Sequence, residues 1–144
     1  MDLSLSRGLH TLVSTLDRAA DRILRDDHRI GYSQFLLLYA VREVGAGTQR
    51  EVALWLGGTE GAVSRSLRAL ATQGLVQIRA SAMPGHRKEV TLTPTGADLV
   101  ELAGADLESR LAAVVADADV DYAVYSEQTS RLLASVTRAG VRAT

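Results

Sequence analysis

The chain has 144 residues, 47% of them hydrophobic and 23% charged, with a formal net charge of −1. That is one domain's worth of sequence at ordinary globular composition, which argues against disorder, collagen-like repeats and a two-domain enzyme. It contains no cysteine, which excludes disulfides, thiolate zinc sites and thiol redox switches. No apolar run approaches the roughly 18 residues that a bilayer span needs. The opening MDLSLSRGLHTLV lacks a basic stretch followed by an unbroken apolar core, so the expected location is the cytoplasm, with no membrane partner.

Leu5, Leu9, Leu12, Leu16, Ala19 and Ile23 recur at four- and three-residue steps and predict a long amphipathic first helix ending near Asp26–Arg29. Gly31 breaks the chain, and Ser33 is the expected N-cap of a second helix carrying Phe35, Leu36, Leu38, Tyr39 and Val41, stopped by Gly45 and Gly47. Thr48 and Glu51 form a capping box for a short third helix running to Leu56. After the Gly57-Gly58 turn, Thr59 caps a fourth helix over Glu60–Gln73, and Gly74 ends it. The period then shortens. Leu75, Val76 and Ile78, a Met83-Pro84-Gly85 turn, and Val90 with Leu92 predict a β-hairpin. Thr93-Pro94 opens a long fifth helix through Leu99, Leu102, Ala103, Leu107, Leu111 and Val114. Asp119 is the expected cap of a last helix whose stripe is Tyr122, Tyr125, Leu132, Leu133 and Val136.

Charge is uneven along this order. Residues 1–47 balance six arginines against six acids, residues 48–93 carry six basic side chains against three acids, and residues 94–144 carry four arginines against eight acids. The basic middle third contains the two short helices and the hairpin, an arrangement that reads as helix-turn-helix plus wing. In the fourth helix Val63, Leu67 and Leu70 fall within about 60° of one another, which leaves Gly61, Ser64, Arg65, Arg68 and Thr72 opposite them. No acid shares the centre of that face, and Glu60 lies at its edge, where the helix dipole favours it. His86, Arg87 and Lys88 follow Gly85 at the hairpin tip. Two cationic elements on one small unit suit a helix in a major groove with a wing beside it on the phosphates. The expected DNA-binding residues are therefore Thr59, Gly61, Ser64, Arg65, Arg68, His86, Arg87 and Lys88.

The ordered fragments Gln34-Phe35 with Leu38, Glu51-Val52-Ala53 with Leu56, Gly61-Ala62-Val63-Ser64-Arg65 with Leu70, Gly74-Leu75-Val76, and Val90-Thr91-Leu92-Thr93-Pro94-Thr95-Gly96 resemble the multiple-antibiotic-resistance regulator (MarR) family of bacterial transcription factors. The resemblance covers residues 30 to 100. It implies a mainly α fold with a small β-hairpin wing, a winged helix-turn-helix with long N- and C-terminal dimerisation helices. On this reading residues 1–144 form one domain, with 1–30 and 94–144 dimerising and 31–93 as the DNA-binding lobe. It further implies a homodimer that places its fourth helices in the major grooves of a pseudo-palindromic double-stranded DNA operator. The family's wing usually carries an Asp followed two residues later by an Arg; Pro84 and His86 stand there, leaving Arg87 as the nearest guanidinium.

Family members are often repressors relieved by small aromatic or phenolic acids. Tyr32, Phe35 and Tyr39, spaced i, i+3 and i+7, together with Trp55, are the candidate ligand-pocket residues. No cofactor or metal is expected, since the three histidines are far apart and consecutive Asp26, Asp27 and His28 point in different directions on a helix. No sequence like GxSxG, a P-loop, HExxH or GxGxxG occurs, so no enzyme is expected. The competing expectation is a winged-helix dimer serving as a protein-interaction or ligand-binding module, its DNA affinity weakened by the altered wing.

Overall fold

A computed structural model describes residues 4–80 and 88–142, and contacts divide the chain into two compact units, Met1–Gly104 and Ala105–Thr144. The first begins with α1 (Ser4–His28). Its apolar seam is covered only toward its C-terminal end, where Leu24 is fully buried, while Leu5 (74% exposed), Leu9, Leu12 and Val13 face solvent. Arg29 takes a left-handed backbone (φ 59°), and the Ile30 amide donates to the Leu24 carbonyl at 3.2 Å, closing the helix end.

Helix α2 (Tyr32–Val44) starts before Ser33, with Gly31 as its N-cap. The expected Ser33 cap is therefore corrected, and the reason is tertiary. The Gly31 amide donates to Gln34 Oε1 at 3.2 Å, and the Tyr32 amide donates to Asp21 Oδ1 on α1 at 2.9 Å, so two orphan donors are satisfied without a serine. Strand β1 (Gly47–Thr48), α3 (Gln49–Leu56) and α4 (Glu60–Thr72) follow. The Thr48–Glu51 capping box forms as expected, the Thr48 amide donating to Glu51 Oε2 at 2.6 Å and the Glu51 amide to Thr48 Oγ1 at 3.3 Å.

Strands β2 (Val76–Arg79) and β3 (Glu89–Leu92) pair antiparallel in the register Val76↔Leu92 through Arg79↔Glu89. The expected hairpin is present, but the sheet has a third member: β1 pairs with β3 through Gly47↔Val90 and Thr48↔Glu89, giving the order β1-β3-β2. Two residues carry no periodicity, which is why β1 could not be read beforehand. The predicted Met83-Pro84-Gly85 turn lies outside the described residues. Helix α5 (Pro94–Asp117) opens as expected on Thr93, whose Oγ1 accepts from the Gly96 amide at 3.0 Å. The core of this unit gathers Leu24, Leu38, Val41, Val52, Leu67, Leu70, Val90 and Val100, all under 2% exposed, each such side chain contributing about 1.5 to 3 kcal/mol on burial.

In the second unit α5 ends where Asp119 adopts φ 56° and the Val120 amide donates to the Val115 carbonyl at 3.1 Å. Helix α6 (Tyr122–Arg142) follows. Its cap is Asp121, not the expected Asp119: Asp121 Oδ1 accepts from the Val124 amide at 2.9 Å. Asp119 instead occupies the left-handed position that finishes α5, a conformation aspartate tolerates better than bulkier residues do. Leu132, Leu133 (67% exposed) and Val136 stand bare on α6.

Candidate nucleic-acid interface

The left-handed Gly57 (φ 67°) ends α3, and Thr59 Oγ1 accepts from the Ala62 amide at 3.4 Å to start α4. A residue with a Cβ would be strained at Gly57, so the tight turn between the two helices is written into the sequence. Val63, Leu67 and Leu70 are buried, and this orientation turns Gly61, Arg65, Arg68 and Thr72 outward, with Ser64 half-buried at the edge of that face.

The exposed face is cationic. Arg68 Nε donates to the Ser64 carbonyl at 3.3 Å, and Thr72 Oγ1 donates to the Arg68 carbonyl at 3.0 Å. Neither Arg65 nor Arg68 is in an ion pair with a carboxylate among the described residues. A Cβ built on Gly61, in the first turn of α4, would meet nothing within 4 Å, so the backbone there is open to the approach of a ligand. Thr59 is exposed beside it. Backbone amides at a helix start attract anions, which fits a phosphate there.

At the base of the wing Lys88 is exposed, and its carbonyl accepts from the Gln49 amide at 3.4 Å, tying β3 to the start of α3. His86 and Arg87 lie outside the described residues. Two cations outside the expected set also stand exposed in this lobe: Arg50 on α3, and Arg79 on β2, where its Nη2 donates to Gln77 Oε1 at 3.1 Å. Their signal in the sequence was the positive balance of residues 48–93.

The four candidate pocket residues separate into two groups. Phe35, Tyr39 and Trp55 form a ladder from core to surface, with ring centroids 6.2 Å and 5.8 Å apart and tilts of 44° and 48°, a favourable aromatic geometry. The Arg42 guanidinium sits 4.4 Å over the Tyr39 ring. Phe35 is buried and Trp55 is 48% exposed. Tyr32 is not in the ladder. Its hydroxyl faces Asp17 on α1, and burial, then the Asp17 charge and hydrogen bond, push its pKa up. Its neighbour Asp21 is held below the usual carboxylate range by the hydrogen bond from Arg25 (Nε to Oδ2, 2.7 Å) and then by that from the Tyr32 amide. Tyr32 therefore belongs to the α1–α2 junction. No group of three His, Asp or Glu side chains is placed to hold a metal ion among the described residues, and no described helix is long and apolar enough to cross a membrane.

The winged helix DNA-binding domain family matches residues 30–96. Among solved structures, Staphylococcus aureus MarR in complex with salicylate and kanamycin is 21% identical, covering 98% of this chain and 93% of that one with a TM-score of 0.84. A mutant E. coli MarR complexed with operator DNA is 25% identical, covering 93% and 94%, with a TM-score of 0.74. The S. aureus MepR–DNA complex is 22% identical, covering 95% and 97%, with a TM-score of 0.72. No curated protein matches the sequence. Two short helices joined by a glycine turn, with a paired hairpin behind them, define a winged-helix protein. Residues 30–96 are thus a winged helix DNA-binding domain, in a chain whose fold is similar to those of the solved MarR and MepR regulators.

Proposed function

We propose that the chain is a dimeric transcriptional regulator that binds double-stranded DNA at a pseudo-palindromic operator and represses until a small aromatic or phenolic ligand releases it. The observation that carries the DNA-binding part is the outward face of α4, where Gly61, Arg65, Arg68 and Thr72 stand exposed over a fully buried Leu67 and Leu70. Arg65 is suited to bidentate readout of a guanine edge; Thr59, Ser64, Arg68 and Lys88 are suited to phosphates and to the rim of the groove. His86 and Arg87 complete the wing in this reading.

Dimerisation is supported by two separate apolar stripes left uncovered, Leu5, Leu9, Leu12 and Val13 on α1 and Leu132, Leu133 and Val136 on α6, the kind of exposed surface that marks an interaction face. In this reading 1–30 and 94–144 are the dimerising segments and 31–93 the DNA-binding lobe. Ligand relief is supported by the aromatic ladder of Phe35, Tyr39 and Trp55 and by the salicylate bound to S. aureus MarR. The test is binding to duplex DNA across a salt series. A regulator loses affinity steeply, with a slope of about −0.9 per phosphate neutralised. A flat response would favour the second reading, a protein-interaction module, to which the exposed Leu54 and Trp55 of α3 lend support.

A further inference from the structure

The end of α4 is fastened to the start of α5 by one side chain. Helix α4 finishes with Gly74 in a left-handed conformation (φ 74°), its amide donating to the Ala71 carbonyl and the Leu75 amide to the Leu70 carbonyl, both at 3.0 Å. Thr93 Oγ1 donates to the Gly74 carbonyl at 2.6 Å and accepts from the Gly96 amide at 3.0 Å. The Thr93 amide donates to the Leu75 carbonyl at 3.1 Å, and that same carbonyl lies so close to Gly96 that a Cβ there would run into it. A single hydroxyl thus spends its proton on the terminus of one helix and its lone pair on the first turn of the next. A plain N-cap needs only the lone pair. The donated proton, spanning nineteen positions from Thr93 to Gly74, is what a cap alone leaves unexplained.

We propose that Thr93 is a positioning residue for DNA recognition: its two hydrogen bonds set the angle of α4 against α5 and so hold the Arg65 face in the orientation that reads bases. This rests on the DNA-binding reading above. The hydroxyl touches no DNA; it acts through Gly74 and the helix that Gly74 ends. Freed from the clasp, α4 samples orientations in which its backbone and cations still reach phosphates but Arg65 does not meet a base edge. Affinity then falls by the fraction of molecules in the competent orientation, whereas phosphate contacts, which carry no sequence information, persist.

The experiment uses the full chain and three variants. Thr93→Val keeps the shape and removes both bonds; Thr93→Ala does the same without a methyl group against the Gly74 carbonyl, should the valine variant not fold; Thr93→Ser keeps the hydroxyl. The probes are a 30-base-pair duplex enriched by the wild-type protein from a random library, and poly(dI·dC). Binding is measured at a temperature where thermal unfolding shows each variant folded. The expected result is a loss of about tenfold for the enriched duplex, as a competent fraction near one-tenth dictates. Poly(dI·dC) binding should stay within about twofold, its phosphate contacts being unchanged, and Thr93→Ser should restore the preference. A folded Thr93→Val or Thr93→Ala with wild-type preference, or one that loses both probes equally, overturns the proposal and leaves Thr93 as a stabilising cap. If the wild-type protein enriches no duplex at all, it is the DNA-binding reading that has failed, and the role of Thr93 falls with it.

Discussion

In α4 the apolar residues Val63, Leu67 and Leu70 are buried by the chain's own lobe, whereas in α6 the comparable Leu132, Leu133 and Val136 stand in solvent. Both helices are amphipathic and both begin on a side-chain cap, Thr59 in one and Asp121 in the other. Helical period tells which residues share a face and caps tell where the helix starts. Neither tells whose surface covers the apolar side. For α4 the answer lies within 30–96, the segment matched as a winged helix domain; for α6 the proposed answer is a second copy.

That contrast can be broken by mutation. Leu67→Ala should destabilise the folded lobe by about 2 to 5 kcal/mol, the range for deleting a fully buried leucine, seen as an earlier denaturant midpoint. A neutral result would mean that α4 is not seated as described. Leu133→Asp should leave the lobe folded yet weaken self-association by about 3 kcal/mol or more, because a symmetric interface would bury the charge twice. Light scattering showing an unchanged dimer would remove α6 from the interface. Arg65→Ala, on the exposed side of α4, should spare stability and cost about 1 to 3 kcal/mol on the preferred duplex, with relaxed choice at one base pair. Equal losses on preferred and random DNA would reduce Arg65 to a phosphate contact.

The smallest effect concerns the cap of α3. The Thr48 amide, and then its hydroxyl, hold the Glu51 carboxyl below its ordinary value of 4.5. A carboxylate whose pKa is lowered by folding adds stability that is complete above the unfolded value and is lost as pH falls through the folded one. The stability difference between wild type and Glu51→Gln should therefore be constant above about pH 5 and shrink in more acidic solution. Urea titrations over that range check it, and a difference that grows on acidification would contradict the capping geometry.

Features readable in the sequence were those determined locally. Thr48 with Glu51, Thr59, and Thr93 as the start of α5 were recognisable because each bonds an amide three residues away. The outward face of α4 followed from the same kind of local regularity. Features that depend on distant chain were not readable. The start of α2 is set with the help of Asp21, eleven residues earlier on another helix, so the helix begins ahead of Ser33, the cap to which the local sequence points. Thr93 was identified as a cap, but its bond to Gly74 depends on how the hairpin returns. Tyr32 shares a helical spacing with Phe35 and Tyr39, yet the proximity of α1 draws it to Asp17. Asp119 and Asp121 are equally good caps by type; the choice turned on which of them ends the preceding helix.

The aromatic ladder has one further consequence. Trp55 is the chain's single tryptophan, half-exposed on α3 and 5.8 Å from Tyr39, over whose ring the Arg42 guanidinium sits at 4.4 Å. Indole can be excited where tyrosine and nucleobases absorb little, so its emission comes from one known place, the joint between α2 and α3. Water entering that joint would shift the emission to the red, and a ligand or a moving guanidinium beside the ring would change its intensity. The protein thus carries an unlabelled optical gauge of its own helix-turn-helix, readable in a stopped-flow cell while DNA or a small aromatic acid is mixed in.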